Sequence, residues 1–142
     1  MPAKSSDPFA EVRTQTLRHR AKHGCGAYPF EDGAILGVIA AAVAARRVLE
    51  LGCALGYTAL WFAHGAKQAR IDTIEFDPVH AQLARENFAA RGVADRIRVH
   101  QGDFTDVLPT LSPGYDLAFS MVSRQRRIIC GFSISSFVRA AC

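Results

Sequence analysis

Three acids and one glycine-rich turn carry the chemistry that can be read in this chain of 142 residues. In "VLELGCALGYT", residues 48–58, an apolar run enters Gly52-x-Ala54-x-Gly56, with Glu50 two residues before the first glycine. Glu75 follows in "IDTIEFDP", and Asp103 in "QGDF". Glycines at a strand-to-helix turn let the backbone approach a ligand closely and adopt positive φ. The dinucleotide fingerprint G-x-G-x-x-G, which seats a pyrophosphate on a helix N-terminus, is not met, because no third glycine falls at the required place. Glu50 would also repel a diphosphate at short range.

The set therefore suits a ligand with cationic or amino groups and no phosphate. S-adenosylmethionine, which carries an ammonium and a sulfonium, has that chemistry. Glu75 stands where an acid accepts bonds from two ribose hydroxyls. Asp103 is suited to accept from the exocyclic amine of adenine. Thr58 can offer its hydroxyl to the methionine carboxylate, helped by the positive end of its helix. Each bond to a charged group contributes about 1.5–3 kcal/mol. Phe76 and Phe104 are placed either to stack on adenine or to fill the core. Cys53 is most simply a small residue fitting a tight turn, and Asp77 a helix cap. Trp61 is expected in the core.

These residues need a scaffold. "RRVLEL", "IDTIEF", "IRVHQG" and "YDLAFSMV" are short apolar runs that end at glycine or turn residues and predict four strands. "YTALWFAHG", stopped by Gly65, and "FTDVLPTL" predict intervening helices. "DPVHAQLARENFAARG" has Asp77 placed as N-cap, Pro78 as first helical residue, Ala81, Ala84 and Phe88 at helical spacing, and Gly92 closing it. Upstream, residues 9–23 and the alanine-rich residues 33–45 predict two helices separated by "GCGAYPFEDG". The second lacks polar positions, which predicts burial on more than one face. Alternating strands and helices predict an α/β, Rossmann-like, doubly wound, mostly parallel sheet with helices on both faces. The expected domain is residues 1–119, with an N-terminal helical segment at 9–45.

Composition narrows the function classes. The length predicts one domain, and no run reaches the ~20 apolar residues of a membrane span. The N-terminus has no secretory pattern, so the cytoplasm is expected. The net charge of +4 does not sit on the body: residues 1–116 hold 13 Lys/Arg and 13 Asp/Glu, whereas Arg124, Arg126, Arg127 and Arg139 face no acid after Asp116. A basic nucleic-acid face is therefore not expected. Cys25, Cys53, Cys130 and Cys142 have no paired spacing, and His23, His64, His80 and His100 no ligand-like spacing, so free thiols and no zinc site are expected.

The ordered set, an E-x-G-x-x-x-G-Y-T turn, an I-E-x-D-P strand end and a G-D after the third strand, resembles class I S-adenosylmethionine-dependent methyltransferases. More narrowly, residues ~12–119 resemble the catechol and caffeoyl-CoA type of small-molecule O-methyltransferase. The resemblance implies a seven-stranded sheet and cofactor contacts at Glu50, Gly52, Gly56, Thr58, Glu75 and Asp103. The loop neighbours Cys53, Tyr57, Phe76 and Phe104 complete the candidate set. It also implies methyl transfer to a phenol- or catechol-like hydroxyl, commonly with Mg²⁺, and a possible homodimer. No catalytic residue is singled out.

The pattern departs from that family after the fourth strand. Met121 stands where the family's metal-binding aspartate falls, Ser123 at the second acid and Arg124 at the lysine. A thioether is a poor ligand for Mg²⁺, which demands oxygen. Composition changes at about residue 120, so residues 120–142 are expected to be an atypical basic tail, of a C-terminally truncated or divergent member lacking the usual last strands. An aberrant reading frame is one origin for such a tail. A strand edge left open there invites pairing between chains, with "RRIICGFSI" as a candidate cover. The main alternative is a non-catalytic or partner-dependent cofactor-binding fragment. A nucleotide-dependent oxidoreductase is disfavoured by Glu50 and the missing fingerprint, and an RNA methyltransferase by the neutral body.

Overall fold

The computed structural model describes residues 7–121. The expectations that fall on Ser123, Arg124 and the tail beyond lie outside these residues. The elements are α1 (Ala10–His23), α2 (Gly33–Ala42), β1 (Arg47–Leu51), α3 (Tyr57–Gly65), β2 (Arg70–Glu75), α4 (Pro78–Ala90), β3 (Ile97–Gln101), α5 (Phe104–Val107), a 3-10 turn (Leu108–Thr110) and β4 (Leu117–Ser120). The strands form one parallel sheet in the order β3-β2-β1-β4.

Side-chain alternation explains how both faces are covered. Val48 and Ile71 lie in a large apolar cluster with Leu60 and Phe62 of α3 and with Ala84 and Phe88 of α4. Leu49, Leu51 and Ile74 point the other way and pack with Leu108, Tyr115 and, more peripherally, Phe104 and Val107. The helices α3 and α4 thus cross on one face, and α5 with its 3-10 turn crosses on the other. That is the doubly wound pattern, with its switch point between β1 and β4.

The local signals act as the physics requires. Asp77 caps α4 by accepting from the amides of Val79 and His80 at 2.8 and 3.2 Å. Asp116 pins the start of β4 to β1, accepting from the amides of Arg46 and Arg47 at 2.8 and 2.9 Å. The N-terminal α1 docks through Val12 and the preceding Phe9, whose ring meets Trp61 edge to face at 5.2 Å. Among the described residues, no helix is long and apolar enough to cross a membrane.

The expectation for residues 33–45 needs correction twice. The helix ends at Ala42, because Ala44 turns left-handed at φ 48° and the Ala45 amide bonds back to Ala40 O at 3.0 Å. Glycine is the usual residue for such a closure, so the alanine run gave no stop signal. Nor is α2 buried on more than one face. Leu36, Gly37 and Ala40 are buried, but Ile35, Val38, Ile39 and Val43 are exposed, Val38 by 65 %. The buried stripe is narrow because small residues bring α2 against α3 backbone to backbone. A Cβ on Gly65 would lie 2.0 Å from Gly37 O, and one on Gly33 would meet the Trp61 ring at 2.3 Å.

Gly65→Ala is therefore expected to destabilise the fold by about 1–3 kcal/mol, the cost of overpacking a contact that backbone atoms cannot relieve. Gly26→Ala, where a Cβ meets nothing within 4 Å, should stay within about 0.5 kcal/mol. Urea unfolding midpoints of the two variants check the contrast.

Candidate functional site

The turn joining β1 to α3 carries unusual backbone. Gly52, Ala54 and Gly56 have φ of 84°, 47° and 100°. The Gly52 amide extends the sheet by donating to Ile74 O at 2.8 Å. Gly56 has a second reason to be glycine, since a Cβ there would lie 2.6 Å from the Phe88 ring of α4. The turn sits at the carboxyl ends of the strands beside the switch point, where open α/β sheets take their ligands.

Glu50 lies beneath this turn and not on it. It is fully buried. The Thr73 hydroxyl donates to its Oε1 at 2.8 Å and the Thr58 hydroxyl donates to its Oε2. Burial disfavours the charged form and pushes the carboxyl up to about 7, against the two threonine bonds that pull it down. Glu50 thus joins β1, β2 and α3 from inside, and the Thr58 hydroxyl is engaged with it. Sequence reading missed Thr73. Its only signal is strand register, which pairs Glu50 with Thr73 across β1 and β2.

Glu75 holds the turn from the other side. Its Oε2 accepts from the Ala54 amide at 2.9 Å, and its Oε1 from the Asp77 amide at 3.0 Å. Each oxygen keeps a further lone pair for a ligand hydroxyl. Phe76, the next residue, is 51 % exposed. Asp103 caps α5, accepting from the amide and the hydroxyl of Thr105 at 2.9 and 2.7 Å. Phe104 is partly buried against the Leu49–Tyr115 cluster. Cys53 is buried in the turn, and that burial pushes its thiol well up, away from thiolate chemistry. Tyr57 is buried in the first turn of α3, and its hydroxyl donates to Asp7 at 2.7 Å.

The Mg²⁺ that the resemblance implies, and that Met121 already put in doubt, does not fit the β4 end. The strand closes there with Ser120 and Met121, whose amide bonds to Leu51 O at 3.2 Å. Asp116, the last acid of the sequence, stands at the opposite end of β4. A thioether and a hydroxyl do not supply the oxygen set of a hard cation. A different cluster was invisible to spacing: His19, Cys25 and His80 converge although their positions in the chain form no metal-binding pattern.

Fold and turn together define a doubly wound α/β domain of the Rossmann kind, with a glycine turn held by Glu75 above Glu50. Residues 49–121 match the family described as "Methyltransferase domain". The chain belongs to that family. A catechol O-methyltransferase of Mycobacterium tuberculosis is 42 % identical over 100 residues, 69 % of this chain and 46 % of the relative. A tRNA1(Val) (adenine(37)-N6)-methyltransferase of Yersinia pestis is 38 % identical over 90 residues, 63 % of this chain and 36 % of the relative. The crystal structure of an O-methyltransferase from Bacillus cereus in complex with SAH superposes with a TM-score of 0.70 at 26 % identity, covering 81 % of this chain and 56 % of that one. The chain thus spans less than half the length of these two curated relatives.

The raised Glu50 makes stability depend on pH. Its pKa is about 4.5 unfolded and about 7 folded, so the folded state holds the proton more tightly. The stability gained is complete below about pH 4.5 and is lost progressively as pH rises from there through about 7, by about 3 kcal/mol in all. Glu50→Gln, which cannot ionise, is expected to flatten the fall in melting temperature between about pH 4.5 and pH 7.5. An equally steep fall in the variant would refute the assignment.

Proposed function

We propose that this chain is the cofactor-binding part of an S-adenosylmethionine-dependent O-methyltransferase acting on a small phenol- or catechol-like hydroxyl. The observation that carries the reading is Glu75 at the carboxyl end of β2, bonded to the Ala54 amide of the glycine turn. A carboxylate fixed in that way offers paired acceptors for two vicinal ribose hydroxyls. The SAH held by the Bacillus cereus structure supports the choice of ligand, as does family membership.

When bound, the cofactor supplies the transferable methyl group; the chain's own residues bind and orient. Glu75 receives the ribose, and the half-exposed Phe76 ring lies beside it for the adenine. Asp103, at the carboxyl end of β3, accepts from the adenine amine. Gly52, Cys53 and Gly56 give the methionine end close backbone approach, and Tyr57 with Thr58 opens the helix that faces it. Glu50 and Thr58 act as positioning residues in this reading, since their side chains are engaged with each other below the turn. The electrically balanced body favours a small acceptor over a polynucleotide, although a relative of similar identity is named for tRNA. The free thiols of Cys25 and Cys53 fit a reducing, cytoplasmic setting. A homodimer belongs to the same reading.

A second reading is favoured by one observation: Met121 closes the β4 end, and the sequence has no acid after Asp116. On that reading the chain binds the cofactor but needs a partner, or further chain, to transfer a methyl group.

Calorimetric titration with S-adenosylhomocysteine tests the cofactor, and Glu75→Ala is expected to weaken binding at least tenfold. Methyl transfer to catechol then separates the two readings. Turnover supports the first, and tight binding without turnover the second. A folded chain that binds no S-adenosylhomocysteine overturns both.

A further inference from the structure

Three soft or borderline donors meet where α1, the following loop and α4 come together. His19 lies in the last turns of α1, Cys25 at the start of the loop and His80 in the first turn of α4. One ligand atom from each lies within 4.8 Å of the other two. His80 is buried, and His19 and Cys25 are partly buried. The His19 and His80 rings stand edge to face at 5.1 Å, and His23 lies against His19 with ring centroids 4.5 Å apart. Cys25 is a free thiol.

Two carboxylates flank the His80 imidazole. Its Nδ1 is 3.8 Å from Glu75 Oε1, and its Nε2 is 3.9 Å from Asp77 Oδ2. Both distances are beyond hydrogen-bond reach. Whichever nitrogen turns to the cluster, the other has a carboxylate on its far side. Closing one of these gaps to a hydrogen bond would orient the ring as carboxylates orient ligating histidines.

We propose that His19, Cys25 and His80 form a binding site for a zinc-class divalent ion, with water as the fourth ligand. Two imidazoles and a thiolate select Zn²⁺ or Co²⁺ over Mg²⁺, which takes oxygen. Bonds of about 2.0–2.3 Å in a tetrahedron place donors about 3.5 Å apart. Rotation of the partly exposed His19 and Cys25 side chains closes the cluster to that geometry. As the metal–sulfur bond forms, the Cys25 thiol releases its proton to solvent. The ion staples the end of α1 and its loop to the start of α4, beside Glu75. The site is separate from the β4 end and borders the proposed cofactor pocket at Glu75.

The test is a cobalt titration of the full chain carrying Cys130→Ser and Cys142→Ser, so that Cys25 and the buried Cys53 are the only thiols. One equivalent is expected to give visible tetrahedral bands and a near-ultraviolet thiolate-to-cobalt band, and Zn²⁺ to abolish both. Zn²⁺ should raise the melting temperature, since an ion that binds only the native state stabilises it. Cys25→Ser should lose the near-ultraviolet band, and His19→Gln should weaken binding at least tenfold, each with unchanged far-ultraviolet circular dichroism. His19 and Cys25 carry the test because the buried His80 is more exposed to folding defects. A thiolate band that survives Cys25→Ser, or no band at one equivalent in the parent chain, overturns the site.

Discussion

A carboxylate with no access to water is the constraint on which the ligand end of this molecule depends. Glu50 reaches from β1 to Thr73 on β2 and to Thr58 at the start of α3. Three elements are thereby indexed to one side chain, and the glycine turn between two of them inherits its position. Desolvation makes that carboxylate costly when charged. Its value is geometric, because a well-packed neutral residue would serve stability better but would not reach both hydroxyls. From above, Glu75 grips the same turn through the Ala54 amide, so the loop is clamped between two buried acids.

Around this clamp, closeness is bought with small side chains. Gly33, Gly37 and Gly65 let α2 lie on α3, and Gly56 admits the Phe88 ring from α4. The polar caps Asp77, Asp103 and Asp116 then set where each following element begins. Sheet register and turn geometry are consequences of a few short-range contacts, most of them made by backbone.

That locality is why so much of the fold was legible. Asp77-Pro78 announces a helix start in two residues, and the glycines after each strand end the apolar runs. Parallel order follows from alternation alone. What failed had no local signature. Ala44 takes a left-handed conformation without being glycine, so α2 stops early. The helix looks uniformly apolar, yet contact through glycines leaves Ile35, Val38, Ile39 and Val43 in solvent. In the candidate site, acids and glycines could be placed by motif, but the hydroxyls of Thr58 and Thr73 could not. Whether they face a ligand or a buried acid is decided by pairing between strands. The convergence of His19, Cys25 and His80 likewise arises only when α1 lies down on α4.

Trp61 gives the protein an optical consequence. It is the one tryptophan of the sequence, it is 9 % exposed, and its ring is held by Phe9 at 5.2 Å and His64 at 5.6 Å. Phe9 arrives with α1, so the indole emits from an apolar shelter only while that helix is seated. Fluorescence of the unlabelled chain therefore watches the N-terminal helix lift from α3, a motion distinct from unfolding of the sheet. A blue emission that moves red before the backbone signal changes would time that detachment without any introduced dye.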